Sequence, residues 1–386
     1  MKKIGLLPRL IIAIIVGILI GAYLPQIFTE LLATFNGLFG NFLGFVIPLI
    51  IIGFIVPGIA DLGSGAGKSL ALTAGIAYTF TVCSGLLSFG VGSTLFPYIL
   101  SPGSLTLGNT DNPEHALLSP LFTVEMPPMM GVMSALLIAF ILGIGISTIQ
   151  GNGLKNAMNE FQEIVAKLIT AIIIPLLPFH VMGIFANMTF AGQVGEIIGV
   201  FFKVFILVIL LQFLVMGIQY LIAGSVGRKN PLRMLRKMMT AYFTALGTQS
   251  SAATIPVTLE QTKKMGVRGF VADFVIPLGA TIHLSGSTVT VTTCALAIMT
   301  INGMATPFMD FFPFILALGV TMVAAPGVPG GAIMAALGLL QSMLGFNDTL
   351  LSLMIALYLA QDSFGTATNI TGDGAVAVIV DRLTKK

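Results

Sequence analysis

Polar and acidic side chains interrupt an apolar stretch near the C-terminus. The polar segment spans residues 361–373, and the flanking residues 350–360 and 375–380 are mostly hydrophobic. Four of its side chains recur at intervals of four, three and four residues: Asp362, Thr366, Asn369 and Asp373. In an α-helix this spacing places all four on one face. Carboxylates can bind a cation, and amide and hydroxyl groups can bind a polar solute, so we predict a solute or ion site here.

The composition places this polar face inside a membrane. Of the 386 residues, 56% are hydrophobic and only 9% are charged, against about a quarter charged in an ordinary soluble domain. The chain is therefore predicted to be a polytopic membrane protein. An ionised carboxylate in a bilayer normally faces a bundle interior or a water-filled cavity. The alternative is a polar face that only joins neighbouring helices, but such faces usually carry Ser, Thr or small residues instead of two acids.

Apolar runs define the helices that must position this face. Eight runs are long enough to cross about 30 Å of hydrocarbon, at about 6–23, 38–60, 69–95, 131–150, 161–190, 194–224, 268–300 and 348–381. The last run is predicted to form one continuous helix. Two further apolar segments, about 238–262 and 311–345, are broken in their middles by Gly, Pro, Ser and Thr.

The basic residues set the orientation of these runs. Lys and Arg lie near the N-terminus, in alternate connections and at the C-terminus, and they are absent from the connections at about 24–37, 96–130, 186–193, 301–310 and 341–349. Because cytoplasmic loops carry the excess of Lys and Arg, we predict eight crossings of the cytoplasmic membrane with both termini in the cytoplasm.

The same distribution predicts that the two broken segments are re-entrant hairpins of opposite orientation. Segment 238–262 has basic residues on both sides and must enter from the cytoplasm, whereas 311–345 has none and must enter from outside. Irregular backbone at membrane depth is tolerated where it is buried in protein or lines a cavity. Paired interrupted segments also indicate the binding site of a transporter. We therefore expect the tips, near 248–256 and 325–331, to meet.

The chemistry of these breaks suits an anion at the hairpin tips and a cation in the span between them. Helices that begin at the hairpin tips would offer unpaired N–H groups to an anion such as a carboxylate. In span 268–300, Gly279 and Gly286 bracket a polar segment that we expect to unwind, which would free carbonyl groups for a cation. The sequence contains no nucleotide-binding loop and no Ser–His–Asp or metal-ligand spacing. We predict that the chain is not an enzyme, holds no bound cofactor and binds no nucleic acid.

The order of these motifs resembles the dicarboxylate/amino acid:cation symporter family, which has the glutamate-transporter fold. The motifs are a Ser-rich hairpin, the span Pro277-Leu-Gly-Ala-Thr-Ile, the hairpin tip Gly327-Val-Pro-Gly and the last span Asn369-Ile-Thr-Gly-Asp373. The resemblance is strong over about 240–382, and the N-terminal half agrees in the number and position of spans. It implies an all-α polytopic membrane protein with eight transmembrane helices, two opposed re-entrant hairpins and inverted repeats.

The resemblance also implies two domains with different roles. It implies a homotrimer in the lipid bilayer, in which each protomer has a scaffold and a transport domain that moves like an elevator. The corresponding segments are 1–68 (scaffold spans 1 and 2), 69–95 (transport-domain span 3), 96–130 (extracellular loop), 131–224 (spans 4 and 5 of the scaffold and span 6 of the transport domain), 225–237 (cytoplasmic basic loop) and 238–386 (transport-domain core).

The family's site residues carry over by position. The resemblance implies that Asp362 binds the α-amino group of an amino acid and that Asn369 binds its α-carboxylate, helped by the backbone at Ser250 and Ser251. Side-chain contacts to the substrate correspond to Thr366 and Ser287, and the external gate corresponds to Gly327, Val328, Pro329 and Gly330. One sodium site corresponds to Asp373, Asn369 and Gly279, and a second one near the outer hairpin corresponds to Thr281.

Two departures from the family predict the substrate. Members that carry acidic substrates have Arg where this chain has Gly365, and some prokaryotic members have a hairpin Arg where it has Gln249. A second substrate carboxylate would then be buried without a partner, which costs several kcal/mol. We therefore predict sodium-coupled symport of a neutral amino acid. The alternatives are a symporter of dicarboxylates or acidic amino acids and an anion-conducting, channel-like member of the fold.

A third departure concerns the coupling ion. The family's Asn-Met-Asp-Gly segment is His283-Leu-Ser-Gly286 here, which removes a formal charge and an oxygen ligand from one sodium site. That site is therefore expected to be weakened or lost, while Asp373 and Asn369 retain another. His283 can change its charge near neutral pH, so a proton-coupled symporter is a further alternative. A hydrogen-bonded core histidine is the other interpretation of His283.

Overall fold

The computed structural model describes residues 6–63, 68–100, 118–192, 194–323, 325 and 330–384, and every regular element in these ranges is a helix. The helices run in chain order as α1 (Leu6–Tyr23), α2 (Gln26–Gly63), α3 (Lys68–Ile99), α4 (Val132–Thr148), α5 (Gly153–Leu168), α6 (Ile174–Phe190), α7 (Val194–Gly227), α8 (Pro231–Thr248), α9 (Ser251–Lys264), α10 (Gly269–Ile282), α11 (Ser285–Ile301), α12 (Phe308–Val323), α13 (Gly331–Leu344), α14 (Asp348–Leu359) and α15 (Asp362–Leu383). A π-helical segment, Ile169–Ile173, joins α5 to α6.

Several of these helices have the length and composition of membrane spans. Among the described residues, five stretches qualify singly, at 26–60, 70–99, 153–190, 198–227 and 269–301. The bent pair α14 and α15 makes a sixth when it is counted as one span. Shorter apolar helices cover 8–23, 137–148, 308–323 and 331–344. The prediction of an all-helical membrane protein is confirmed, and the count of eight crossings stays a prediction.

The prediction of one continuous helix over 348–381 is wrong. Helix α14 ends at Leu359, α15 begins at Asp362, and the two are bent by 60°. The amide N–H of Gln361 bonds to the Tyr358 carbonyl at 2.9 Å. The Leu357 carbonyl accepts instead from the side-chain amide of Gln361 at 3.0 Å. The polar side chain therefore satisfies a carbonyl at the break, which lets the helix end inside an apolar run.

Two other boundaries differ from the sequence-based expectation. Helix α2 begins at Gln26, directly after Pro25, so the outer connection expected over 24–37 is mostly helical. The basic loop expected over 225–237 is a three-residue connection, because α8 already begins at Pro231. Asn230 caps α8 by accepting the Arg233 amide at 3.0 Å, and proline at the first position of a helix favours this start.

The interrupted segments do form paired helices. Helices α8 and α9 pack against each other, as do α12 and α13. Each pair is a hairpin that turns close to its predicted tip. The break in span 268–300 is narrower than expected: only His283 and Leu284 separate α10 from α11, and Gly279 and Gly286 remain helical.

Two hydrophobic cores hold the helices together. The larger core joins α1, α2 and α4–α7 to α3 and α11–α14. The smaller core joins α7–α10 to α15 and includes Phe80 of α3. Helix α15 contacts α7, α8, α9, α10 and α11, and every residue from Thr366 to Asp381 is buried. Its polar face is therefore enclosed by protein.

Candidate functional site

A small polar cavity lies between α15 and the two hairpins. It is lined by residues of six helices, of the turn between α8 and α9, and of the breaks before α11 and α13: Gln249, Ser251, Ala280, Leu284, Ser287, Ala325, Ala332, Tyr358, Asp362, Thr366 and Asn369. Its free volume is about 20 Å³, which is enough for roughly one water molecule. The structure thus brings the turn of the inner hairpin, described residues of the outer hairpin and the polar face of α15 to one small site.

Asp362 is the acidic residue of this cavity. It is the first residue of α15, it follows the 60° bend directly, and only 9% of its surface is exposed. Its Oδ2 accepts the backbone N–H of Gly330 at 2.7 Å. Gly330 is the N-cap residue of α13 and has a left-handed φ of 75°, a conformation that glycine adopts without strain. The outer hairpin therefore occupies one oxygen of Asp362 in this conformation.

Asn369 links α15 to the break before α11. Its Oδ1 accepts the backbone N–H groups of Gly286 at 2.7 Å and Ser287 at 3.3 Å, and its Nδ2 donates to Ser287 Oγ at 3.0 Å. These amides belong to the first turn of α11, where helical N–H groups have no partner within the helix. Asn369 thus acts as a cap for α11 from the neighbouring helix, while it also lines the cavity.

The inner hairpin presents a helix N-terminus to the cavity. Gln249 has a left-handed φ of 53°, which reverses the chain between α8 and α9. Ser250 caps α9 by accepting the Ala253 amide at 3.3 Å. Ser251 and Gln249 line the cavity, and Ser250 lies directly beside them. The N-terminus of a helix offers N–H groups and a favourable dipole to an anion.

A second buried cluster surrounds Asp373. Its Oδ1 lies 3.0 Å from Nδ1 of His283, and both side chains are fully buried. The Nε2 atom of His283 lies 3.3 Å from Nε2 of Gln219 in α7, and Gln219 also donates to Ser285 Oγ at 3.0 Å. With the Gln219 amide in this orientation, Nε2 of His283 accepts from Gln219 and Nδ1 faces Oδ1 of Asp373. Among the described residues, Oδ2 of Asp373 has no hydrogen-bond partner.

The residues predicted for sodium are only partly assembled. Gly279 lies against the carboxylate of Asp373, because a Cβ placed on Gly279 would be 2.8 Å from Oδ1. Thr281 is exposed and donates its hydroxyl to the Leu278 carbonyl at 2.7 Å. This exposure contrasts with the burial of Asp373, and the place of Thr281 in a second sodium site stays a prediction. Gly327, Val328 and Pro329 of the expected gate lie outside the described residues.

Two residues of these clusters were not predicted from the sequence. Tyr358 lies one helical turn before Asp362 and lines the cavity. Gln219 contacts His283, and Gln212, seven residues earlier on the same face of α7, donates to Thr290 at 3.0 Å. The available signals were a tyrosine four residues before Asp362 and two amides at heptad spacing in a mostly apolar span.

This arrangement defines a class of protein: a helical carrier in which a buried carboxylate lies between two hairpins of a polytopic membrane fold. The Sodium:dicarboxylate symporter family matches residues 6–383 of the sequence, and the chain belongs to that family. It is therefore a multi-pass membrane protein and a cation-coupled symporter, and it is not an enzyme. The predicted family and fold class are confirmed.

Curated relatives of the chain are similar along almost their entire length. A protein of Acinetobacter baumannii (strain AYE), named Serine/threonine transporter SstT, is 25% identical over 399 residues, which cover 98% of this chain and 97% of that protein. A protein of the same name from Streptococcus thermophilus (strain CNRZ 1066) is 23% identical over 404 residues, or 99% and 96% of the two chains. A third, from Streptococcus agalactiae serotype Ia, is 24% identical over 404 residues.

Proposed function

We propose that this symporter carries a neutral amino acid together with sodium. The observation that carries the proposal is the charge of the cavity: among its described lining residues, Asp362 alone is charged. A zwitterion supplies one ammonium group for this carboxylate. Its α-carboxylate can then bind the N-terminus of α9 at Ser251 and the amide of Asn369, with Ser250 adjacent. Thr366 and Ser287 are left to contact the substrate side chain.

An acidic substrate fits this site poorly. Its second carboxylate would need a cation, and the two family positions that supply one are Gly365 and Gln249. Leaving a buried charge without a partner costs about 3–5 kcal/mol. The names of the relatives, which refer to serine and threonine, also favour a neutral substrate, although the family description refers to dicarboxylates.

Substrate entry requires the outer hairpin to move. The Gly330 N–H occupies the Asp362 oxygen that would receive the substrate ammonium, and the cavity is too small for an amino acid. Withdrawal of the hairpin would open the cavity. The Asp362 carboxylate would then lose the Gly330 N–H and accept the ammonium group of the substrate in its place. This competition supports a gating role for the outer hairpin, including Gly327, Val328 and Pro329.

Sodium fits the cluster around Asp373. Within the part of the chain that the structure describes, Oδ2 of Asp373 is a buried carboxyl oxygen without a hydrogen-bond partner, and oxygen ligands suit hard cations. Gly279 and Asn369 are the other candidate ligands, and Thr281 is the candidate for a second site. His283 would orient the carboxylate by donating to its other oxygen, as residues around a metal site commonly do.

A proton is the second candidate for the coupling ion, and one observation favours it. Among the described residues, Oε1 of Gln219 has no hydrogen-bond partner. A half-turn of this amide would present Oε1 to the Nε2–H of a charged His283 imidazolium. The cluster could thus accommodate either state of His283, with the imidazolium replacing a metal ion as the counter-charge of Asp373.

The remaining features of the proposal concern the whole carrier. We assign α1, α2 and α4–α6 to a scaffold and α3 and α7–α15 to a transport domain that moves like an elevator. The carrier would be a homotrimer of the cytoplasmic membrane with both termini in the cytoplasm. Exposed apolar side chains on α4, such as Leu137, Ile141 and Ile144, are suited to contact lipid or a neighbouring protomer.

Calorimetric binding to the purified protein tests the proposal. Serine, alanine, aspartate and lysine are titrated in sodium chloride and, as the control, in choline chloride at the same ionic strength. We expect serine and alanine to bind in sodium chloride but not in choline chloride. In sodium chloride, aspartate and lysine should bind at least about a hundredfold more weakly than serine and alanine. Tighter binding of aspartate than of alanine would contradict a neutral substrate, and equal binding in choline would contradict sodium coupling.

A further inference from the structure

Gln219 is a buried amide in the second half of α7 that contacts the cluster around Asp373. Its Nε2 lies 3.3 Å from Nε2 of His283 and donates to Ser285 Oγ at 3.0 Å. Only 2% of its surface is exposed, and the helix that carries it is mostly apolar. Burying an amide is unfavourable unless its hydrogen bonds to water are replaced, so the position of this side chain depends on His283 and Ser285.

The imidazole ring of His283 is held at both of its nitrogen atoms. Nδ1 lies 3.0 Å from Oδ1 of Asp373, and Nε2 faces the Gln219 amide. The backbone of α15 closes a further side, because a Cβ on Gly372 would lie 2.5 Å from Cε1 of His283 and 2.6 Å from Oε1 of Gln219. The ring and the amide therefore pack against α15 together, and loss of the amide would leave the ring free to turn.

The orientation of this ring affects how the Asp373 carboxylate meets a cation. His283 contacts Oδ1, whereas Oδ2 has no hydrogen-bond partner among the described residues. If the ring turned away, neither oxygen would be held, and the carboxylate could rotate about its last torsion, which has broad preferences. A ligand that is fixed in its binding orientation loses less freedom when the ion binds, and it therefore binds the ion more tightly.

We propose that Gln219 is a positioning residue for the coupling cation: it fixes the His283 ring against Oδ1 of Asp373 and thereby keeps Oδ2 directed toward the cation. In this role Gln219 acts through His283 and touches neither the ion nor the amino acid. The inference rests on the proposed sodium site at Asp373, and it extends the support of that site to α7. Loss of a residue that orients a metal ligand commonly lowers metal affinity by about 10–100-fold.

Two matched methionine variants isolate this role. Gln219→Met keeps an unbranched side chain of similar length but removes both hydrogen bonds. The control is Gln212→Met, which makes the same change on α7 at a glutamine that donates to Thr290 Oγ1 at 3.0 Å and to the Gly286 carbonyl at 3.4 Å. Gln212 is 1% exposed and Gln219 is 2% exposed, so the two substitutions are alike in chemistry and in burial.

The measurement is sodium binding without amino acid, followed as the rise in melting temperature of the purified protein when sodium chloride replaces choline chloride at constant ionic strength. We expect Gln219→Met to need at least about tenfold more sodium than the wild type for half of the maximal rise. Gln212→Met should need the wild-type concentration. At saturating sodium, Gln219→Met should bind alanine with wild-type affinity. Each variant is compared with itself in choline chloride, so a change in its basal stability cancels.

A second set of variants tests whether Gln219 acts through the ring. In a His283→Leu background the ring is absent, so adding Gln219→Met should change the sodium requirement by about twofold or less. A further tenfold loss there would show a general loosening of the fold and overturn the inference. If Gln219→Met does not fold, Ser285→Ala replaces it, because it removes the other anchor of the amide. It should raise the sodium requirement about threefold, and no change would refute the role of the amide.

Two further results would overturn the inference, and they differ in their consequence for the proposed function. If sodium stabilises the wild type and Gln219→Met has the same sodium requirement, the role of Gln219 is wrong and the proposed function stands. If sodium neither stabilises the wild type nor supports its binding of alanine, sodium coupling fails, and the role of Gln219 fails with it.

Discussion

At the scale of single residues, two of the three carboxylates of α15, Asp362 and Asp373, have different partners. Asp362 faces the cavity and accepts a backbone N–H from the outer hairpin. Asp373 lies three turns further along the helix and contacts His283. Because each carboxylate is enclosed by protein, each needs a counter-charge, and a substrate ammonium and a coupling cation would supply them. This pairing explains how one helix face can serve both the solute and the ion.

Replacing Asp362 tests the first of these pairings. Asp362→Asn keeps the size of the side chain but removes the charge that would bind the ammonium group. We expect gradient-driven uptake to be lost and amino-acid affinity to fall at least about a hundredfold, which corresponds to about 3 kcal/mol. The control is Asp273→Asn, which removes an exposed carboxylate paired with Lys263 and should leave uptake near the wild-type level. Unchanged uptake by Asp362→Asn would refute the assigned role.

Replacing Gly365 tests the account of selectivity. A Cβ at this position meets ordinary contact distances of 3.5–3.6 Å, so a side chain can start there without a clash. Gly365→Arg supplies a guanidinium for the side-chain carboxylate of a substrate. The control is Gly365→Met, whose side chain has a similar length but no charge. We expect aspartate to inhibit uptake of a neutral amino acid at least about tenfold more strongly in the Arg variant than in the Met variant. Equal inhibition by aspartate in the two variants would show that residue 365 does not face the substrate side chain.

At the scale of elements, the site depends on helices that are interrupted where polar groups can satisfy the backbone. Gln361 serves the bend between α14 and α15, Asn369 serves the start of α11, and Ser250 caps α9. Each break directs helix ends or side chains toward the same cavity. The close packing of α11 on α15 holds these ends in place.

A glycine substitution tests that packing. A Cβ on Gly286 would lie 2.6 Å from the Gly365 carbonyl oxygen and 2.6 Å from Thr368 Cβ, so Gly286→Ala must push α11 away from α15. We expect a destabilisation of about 1–3 kcal/mol, measured as a lower melting temperature of the purified protein. Gly217→Ala is the control, because nothing lies within 4 Å of its Cβ position in α7. It should be neutral or stabilising by about 0.5–1 kcal/mol. Equal melting temperatures for the two variants would contradict tight contact at Gly286.

Local patterns in the sequence predicted much of this arrangement. The spacing of Asp362, Thr366, Asn369 and Asp373 placed them on one helix face, and basic residues and breakers marked the two hairpins. The bend at Gln361 was missed because a glutamine inside an apolar run carries no breaker signal, and only its bond to a carbonyl reveals its role. Tyr358 and Gln219 were missed because their importance arises from contacts with distant helices, which one sequence does not specify.

At the scale of the whole molecule, a hydrogen bond of His180 joins the proposed scaffold to the proposed transport domain. His180 of α6 lies 3.1 Å from Asn36 Oδ1 of α2 through Nδ1 and 2.8 Å from Ser352 Oγ of α14 through Nε2. The contact with Asn36 stays within the proposed scaffold, whereas the contact with Ser352 crosses to α14. An elevator movement would have to break the bond to Ser352.

Cross-linking across this boundary tests the movement. Cysteines replace Asn36 and Ser352 in a chain whose own Cys83 and Cys294 are alanine, and a short bifunctional thiol reagent joins them. We expect the cross-linked carrier to bind substrate but to lose uptake, because the transport domain can no longer slide past α2. Each single-cysteine variant, treated with the same reagent, is the control. Full uptake by the cross-linked protein would mean that α14 does not move relative to α2.

The most direct test of sodium-coupled symport of a neutral amino acid is uptake into proteoliposomes. Radiolabelled serine, threonine, alanine, aspartate and lysine are each supplied with an inward sodium gradient, an inward proton gradient or no gradient. We predict that serine, threonine or alanine accumulates above its external concentration with the sodium gradient alone. Accumulation driven only by the proton gradient would refute sodium as the coupling ion and would make His283 the candidate coupling group. Accumulation of aspartate alone, or of none of these amino acids, would contradict the central claim.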